Sequence, residues 1–301
     1  MSNLAPSNFE RAVEAIVSGG IATLTSLLRD DPDLVHARST RPHRATLLHY
    51  VAANGVEDER QKTPSNIVEI TRVLLDAGAE VDATAEMYGG GAKTLGLAAT
   101  SIHPFNAGVL APLLDVLIER GADVEGDGIS IIRACLHNDR PDGAVMIAER
   151  GARLDFETAA GVGRLDVVKN LLPSATQEDR DLGFIWACEY GRRNVVDFLI
   201  DRGVNLRARE NSGQTALHLA AHHGELEIVK LLIKRGAPLE AKNSYGGTIL
   251  GQTTWSCMHT GYRVDYAPIV ETLLEAGADV RQADYPTGNE RVDELLRRYA
   301  K

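Results

Sequence analysis

Four side chains toward the end of the chain are of metal-binding type: His222, His223, Cys257 and His259. Successive residues on a helix point about 100° apart, so His222 and His223 do not converge on one ion. No fixed-spacing zinc signature joins them to the other two. The expectation is a chain with no bound metal and no cofactor. Two glycine runs follow tyrosines, Tyr88-Gly89-Gly90-Gly91 and Tyr245-Gly246-Gly247. Glycines ahead of a helix can bare backbone amides to an anion. Their spacing is neither GxGxxG nor GxxxxGK[ST], so they are read as turn glycines. No GxSxG, HExxH or paired-carboxylate pattern occurs, and no residue is assigned a catalytic role. A serine, a histidine and an aspartate that met only in space would leave no such trace. Large aromatic side chains suited to recognition are also present, among them Tyr190, Tyr245 and Trp255. Tyrosine and tryptophan anchors carry much of the energy of protein interfaces.

The elements that must position these residues come from an internal repeat. Its clearest copy is NSGQTALHLAAHHGELEIVKLLIKRGAPLEA, residues 211–241. An alanine-rich helix opens at Thr215 and is broken by Gly224. A second helix carries Ile228, Val229, Leu231 and Leu232 at helical spacing, and Gly236 ends it. The same ending recurs with Gly78, Gly121, Gly151, Gly203 and Gly277. Two further copies lack that glycine, one around Gly20, Leu24, Leu27 and Leu28, the other around Gly163, Val167, Val168, Leu171 and Leu172. Eight copies result, followed by a short amphipathic helix containing Val292, Leu295 and Leu296.

This pattern resembles the ankyrin-repeat family over nearly the whole chain; Gly203 and Gly236 are 33 residues apart, one unit of that family. The resemblance implies an all-α solenoid of about eight helix-turn-helix units with short β-turn connections. One such unit cannot bury its apolar stripe alone, but stacking covers it on both sides. The expected layout is a single domain over 1–301, with an N-terminal capping unit at 1–37, repeats over 38–280 and a C-terminal capping helix within 281–301. The family opens its first helix with Thr-Pro-Leu-His. Here the matches are Thr46-Leu47-Leu48-His49 and Thr215-Ala216-Leu217-His218, and the resemblance makes His49 and His218 structural, tying turn to helix. In Lys93-Thr94-Leu95-Gly96 and Thr248-Ile249-Leu250-Gly251 a glycine stands in the histidine's place.

The resemblance also implies a groove lined by turn tips and by two exposed positions late in each first helix. Carried over by alignment, these are Ala53 and Asn54, Thr100 and Ser101, His137 and Asn138, Gly161 and Val162, Glu189 and Tyr190, His222 and His223, and Trp255 and Ser256, with Tyr245 at a turn tip. Large side chains gather in the last three units. The expected function is therefore non-catalytic binding of another protein along the groove, centred on the C-terminal repeats. Insertions between paired helices, within VEDERQKTPSNI, IHPFNAG and MHTGYRVD, supply the alternative. In that reading an enzyme or small-molecule site is built from Tyr88, His103, His259, Tyr262 and Asp265, in a pocket between the inserted loops and the groove.

Bulk properties narrow the partners. A formal charge of −10 and a pI near 5.4 disfavour phosphate-rich nucleic acid. Three separate cysteines, Cys135, Cys188 and Cys257, argue against a disulfide framework. No run of 18 apolar residues occurs, and residues 1–10 show no basic-then-apolar leader. The expectation is a cytoplasmic monomer with no membrane or nucleic-acid partner.

Overall fold

The computed structural model describes residues 7–125, 130–259 and 264–301. The chain divides into two compact units, 1–153 and 154–301.

The first unit contains α1 (Asn8–Ser18), α2 (Ile21–Asp30), a 3₁₀ segment Leu47–Ala52, α3 (Ile67–Asp76), a two-residue hairpin β1 (Thr84–Ala85) and β2 (Ala92–Lys93), α4 (Thr94–Thr100), α5 (Ile102–Asn106), α6 (Leu110–Glu119), α7 (Ile131–His137) and α8 (Pro141–Glu149). The hairpin is antiparallel, with Thr84 opposite Lys93 and Ala85 opposite Ala92. Four helix pairs follow in order, each apolar face covered by its neighbours. Leu47, Leu48, Ile67, Ile70, Leu74, Leu95, Leu113 and Leu114 are fully buried between them. The second pair differs from expectation, because its first helix is 3₁₀. Ala53 closes it in a left-handed conformation at φ 48°, and its last turn cannot continue as an α-helix. The inserted segment after this helix is pinned rather than loose. Arg41, His43 and Arg60 surround the carboxylate of Glu57, and Arg60 also pairs with Glu10.

The second unit contains α9 (Phe156–Val162), α10 (Leu165–Leu171), α11 (Gln177–Glu189), α12 (Arg193–Asp201), α13 (Ala216–His223), α14 (Leu226–Lys234), α15 (Ile249–His259), α16 (Ala267–Glu275) and α17 (Glu290–Tyr299). The first helices α9, α11, α13 and α15 pack side by side, small residue against small residue: Ala159, Ala160, Ala187, Ala220 and Ala221 are buried. The second helices carry the branched layer, with Val195, Val196, Leu199, Ile228, Val229 and Leu232 in the same core. Gly236, at φ 82°, ends α14 in the left-handed region, where a side chain would be strained. α17 packs on α16 and buries Val292 and Leu296.

The two Thr-x-Leu-His segments fold alike, one in each unit. The Thr215 backbone N–H and hydroxyl both donate to His218 Nδ1, at 3.2 and 2.9 Å, and His218 Nε2 donates to the Gly247 carbonyl at 3.3 Å. Thr46 and His49 repeat this at 3.1 and 2.8 Å, with His49 Nε2 reaching the Ala92 carbonyl at 3.2 Å. Each ring thus caps its own helix and fastens the next inter-repeat turn. Both rings are fully buried, and burial pushes both pKa values down to about 4. Among the described residues no helix is long and apolar enough to cross a membrane.

Candidate functional site

In the second unit, the first helices α11, α13 and α15 and the turns before them enclose an open cleft of about 870 Å³. Glu189, His222, His223, Tyr245 and Trp255 all line it, together with Gln214, Asn243, Gln252, Gln282 and Asp284. Trp255 is 49% exposed and Tyr245 87% exposed, so both present aromatic faces to solvent at the cleft. His222, His223 and Glu189 are half-buried.

These side chains are held by their neighbours. His223 Nε2 lies 3.2 Å from a Glu189 carboxylate oxygen, and its ring stands perpendicular to that of His222, centroids 5.0 Å apart. Trp255 stacks on His259 at 4.3 Å, and His259 Nδ1 donates to the Trp255 carbonyl at 2.7 Å. An amide ladder forms part of the lining. Asn243 Nδ2 donates to Gln252 Oε1 at 3.0 Å, Gln252 donates to Gln214 Oε1, and Gln214 Nε2 donates to the Ser212 hydroxyl at 2.8 Å. Asn243 Oδ1 accepts from the backbone N–H groups of Tyr245 and Gly247, at 3.0 and 2.9 Å, which fixes the turn carrying Tyr245.

One contact has the look of a catalytic dyad and is not one. His222 Nδ1 sits 2.6 Å from Ser256 Oγ. Ser256 Oγ is also 2.8 Å from the Gln252 carbonyl, which can only accept. The serine hydroxyl therefore donates to that carbonyl and accepts from His222 Nδ1–H. Ser256 is fully buried, so it cannot meet a substrate. The Tyr266 hydroxyl, 2.7 Å from the His222 carbonyl, braces the same place.

The structure corrects part of the groove assignment. Tyr190 is only 8% exposed: it lies beneath the cleft, its ring edge-on to His223 at 5.6 Å, and does not line it. Ser256, Gly161 and Val162 are buried, as are Ala53 and Ser101 in the first unit. A residue at or next to the end of a first helix can turn under a neighbouring element: one member of the pair is buried at Ala53, Ser101, Tyr190 and Ser256, and both are buried at Gly161 and Val162. α15 also runs on to His259, into the inserted segment, which makes Trp255 and Ser256 mid-helix residues on different faces. His137 and Asn138 are exposed, and Asn54 and Thr100 half-buried.

The first unit has its own cleft of about 390 Å³, lined by Asn54, Tyr88, Lys93, Thr100, Asn138 and Arg140 among others. There the Tyr88 hydroxyl donates to Asn54 Oδ1 at 2.6 Å. The residues named for a loop-built pocket fall in both units. Tyr88 and the half-buried His103 of α5 belong to the first unit, whereas His259 lies under Trp255, and Asp265 accepts from Arg291 at 2.9 Å. Tyr262 lies outside the described residues. Among the described residues no three His, Cys, Asp or Glu side chains come together to hold a metal.

Sequence reasoning missed Gln214, Asn243, Gln252, Gln282 and Asp284. Gln214 and Asn243 sit in or beside turn tips, where the repeat places groove residues, so that signal was present. Asp284 belongs to the segment between the last repeat and α17, for which the repeat gives no guide. The trace it leaves is Gly251: a Cβ there would lie 2.7 Å from the Gln282 carbonyl.

A family model for ankyrin repeats, in three copies, matches residues 156–243 and 184–284. No curated protein matches the chain. The matched region holds the cleft of the second unit. The first unit repeats the paired helices and the Thr-His cap outside the matched region. On the repeat pattern, the helix pairs and this match, residues 156–284 of the chain are ankyrin repeats.

Proposed function

We propose that this chain is a non-catalytic interaction module that binds a partner protein in the cleft of its second unit. Ankyrin repeats generally serve as protein–protein interaction modules. The observation that carries the reading is the pair of exposed aromatic side chains, Tyr245 and Trp255, on a wall of half-buried, mutually bonded polar groups. Large aromatic surface left in water on a rigid frame is the usual anatomy of an interface hot spot. Because Asn243 is already bonded to Gln252 and Glu189 to His223, a partner meets a site formed in advance, which lowers the ordering cost of binding.

The test compares proteins captured from a cell extract by the intact chain and by a Tyr245→Ala/Trp255→Ala double variant, with Tyr88→Ala as the control in the other unit. A protein retained by the intact chain and the Tyr88 variant but lost from the double variant supports the cleft as the binding site. Equal retention by all three contradicts it.

A further inference from the structure

We infer that the occupant of this cleft is an arginine-bearing, extended segment of the partner. The inference rests on the proposed function and adds the chemistry of what is bound.

The argument starts from charge. Glu189 and Asp284 line the cleft, and among its lining residues there is no lysine or arginine. One Glu189 oxygen is held by His223, leaving a second carboxylate oxygen in a half-buried setting. The Asp284 side chain is exposed and makes no hydrogen bond or ion pair among the described residues; only its backbone N–H is used, by the Thr254 hydroxyl at 2.9 Å. The whole chain carries −10, so a cationic segment is also drawn toward it at long range.

The aromatic groups then select among cations. Trp255 and Tyr245 offer exposed ring faces in the same cleft. A guanidinium is planar, stacks on such faces and still presents its edge donors to carboxylates and amide oxygens. An ammonium is a compact, strongly hydrated charge that loses more water and gains less stacking. Aromatic faces, carboxylates and amide oxygens converging on one cleft therefore suit arginine better than lysine.

The size of the cleft sets the form of the ligand. About 870 Å³ is within the range that encloses a whole small ligand, so a single side chain does not fill it and a short stretch of chain does. The smaller cleft of the first unit is the reverse in charge, carrying Lys93 and Arg140 beside Asp123. Both clefts hold an exposed tyrosine, but the acidic lining belongs to the cleft of the second unit.

The experiment uses the full chain and four fluorescein-labelled hexapeptides that differ only at two positions, occupied by arginine, lysine, citrulline or glutamate between glycines. Binding is read by fluorescence anisotropy at 150 mM salt. Citrulline keeps the shape of arginine and removes its charge, so it separates recognition from fit. The arginine peptide is expected to bind at least fivefold more tightly than the lysine peptide and at least tenfold more tightly than citrulline. Asp284→Asn and Trp255→Ala should each weaken the arginine peptide at least threefold, while Glu271→Gln, a surface carboxylate paired with Arg298, should leave it unchanged. If citrulline or glutamate peptides bind as well as arginine, the inference fails. If the arginine peptide binds every variant alike, its attraction is only the net charge, and the inference fails again. In either case a partner lost on Tyr245→Ala/Trp255→Ala still supports the cleft as an interaction site, so the two ideas fall separately.

Discussion

Gly251 and the Gln282 carbonyl are so close that a Cβ on Gly251 would stand 2.7 Å from that oxygen. The contact explains why the last repeat carries Gly251 where the two best copies carry His49 and His218. With no side chain at Gly251, the segment leading to α17 settles against α15, and Gln282 and Asp284 line the cleft. The Thr248 hydroxyl keeps its half of the cap, accepting from the Gly251 N–H at 3.2 Å, as Thr46 and Thr215 do for His49 and His218.

Restoring the repeat motif here is therefore expected to harm the protein. Gly251→Ala should destabilise by about 1–3 kcal/mol through overpacking, and Gly251→His should do so by at least as much. Urea denaturation of the two variants checks this. A protein stabilised by Gly251→His would show that the close approach to Gln282 does not govern the choice of residue.

Stability should fall as pH drops from about 6.5 toward 4. His49 and His218 are buried and neutral in the fold, with pKa values pushed down to about 4 by burial. In the unfolded chain they titrate near 6.5. Between those values the unfolded state binds more protons than the folded one, so acidification favours unfolding. The stability they contribute is fully present above pH 6.5 and is lost progressively down to pH 4. Denaturant midpoints across this window should decline, and a His49→Asn/His218→Asn variant, less stable at neutral pH, should show a flatter dependence. An equal slope in both proteins would assign the effect to other groups.

Leu232 is fully buried in the core of the second unit. Leu232→Ala should cost about 2–5 kcal/mol, through lost apolar burial and the cavity left behind. An unchanged denaturation curve would remove Leu232 from the core.

Residues 290–301 are expected to cap the last helix pair. α17 buries Val292 and Leu296 against α16 and turns its charged side chains outward. Removing these residues should uncover Leu273 and Leu274 and raise hydrogen exchange throughout α15 and α16. Unchanged exchange would contradict the capping role.

The helix pairs were legible in the sequence because their cause is local. Leu and Val at helical spacing, alanines in the first helices, and glycines such as Gly203 and Gly236 at left-handed positions all act within a few residues of one another. The Thr-His caps were legible for the same reason. Exposure was not, since it depends on the neighbouring repeat. Tyr190, His223 and Ser256 hold matching places in the alignment, yet His223 lines the cleft while Tyr190 and Ser256 are buried. Asp284 was invisible because a non-repeating segment supplies it, and only the exception at Gly251 marks where that segment lands.

The most direct measurement is the affinity of the isolated partner for Trp255→Ala, taken together with that variant's own stability. Trp255 is half in solvent and stacks only on His259 among the described aromatic rings, so truncating it should leave unfolding nearly unchanged. Binding should weaken by about 2 kcal/mol or more, as for a hot-spot anchor. Thr100→Ala in the first unit should have little effect. Binding of Trp255→Ala at the affinity of the intact chain would contradict the proposed site.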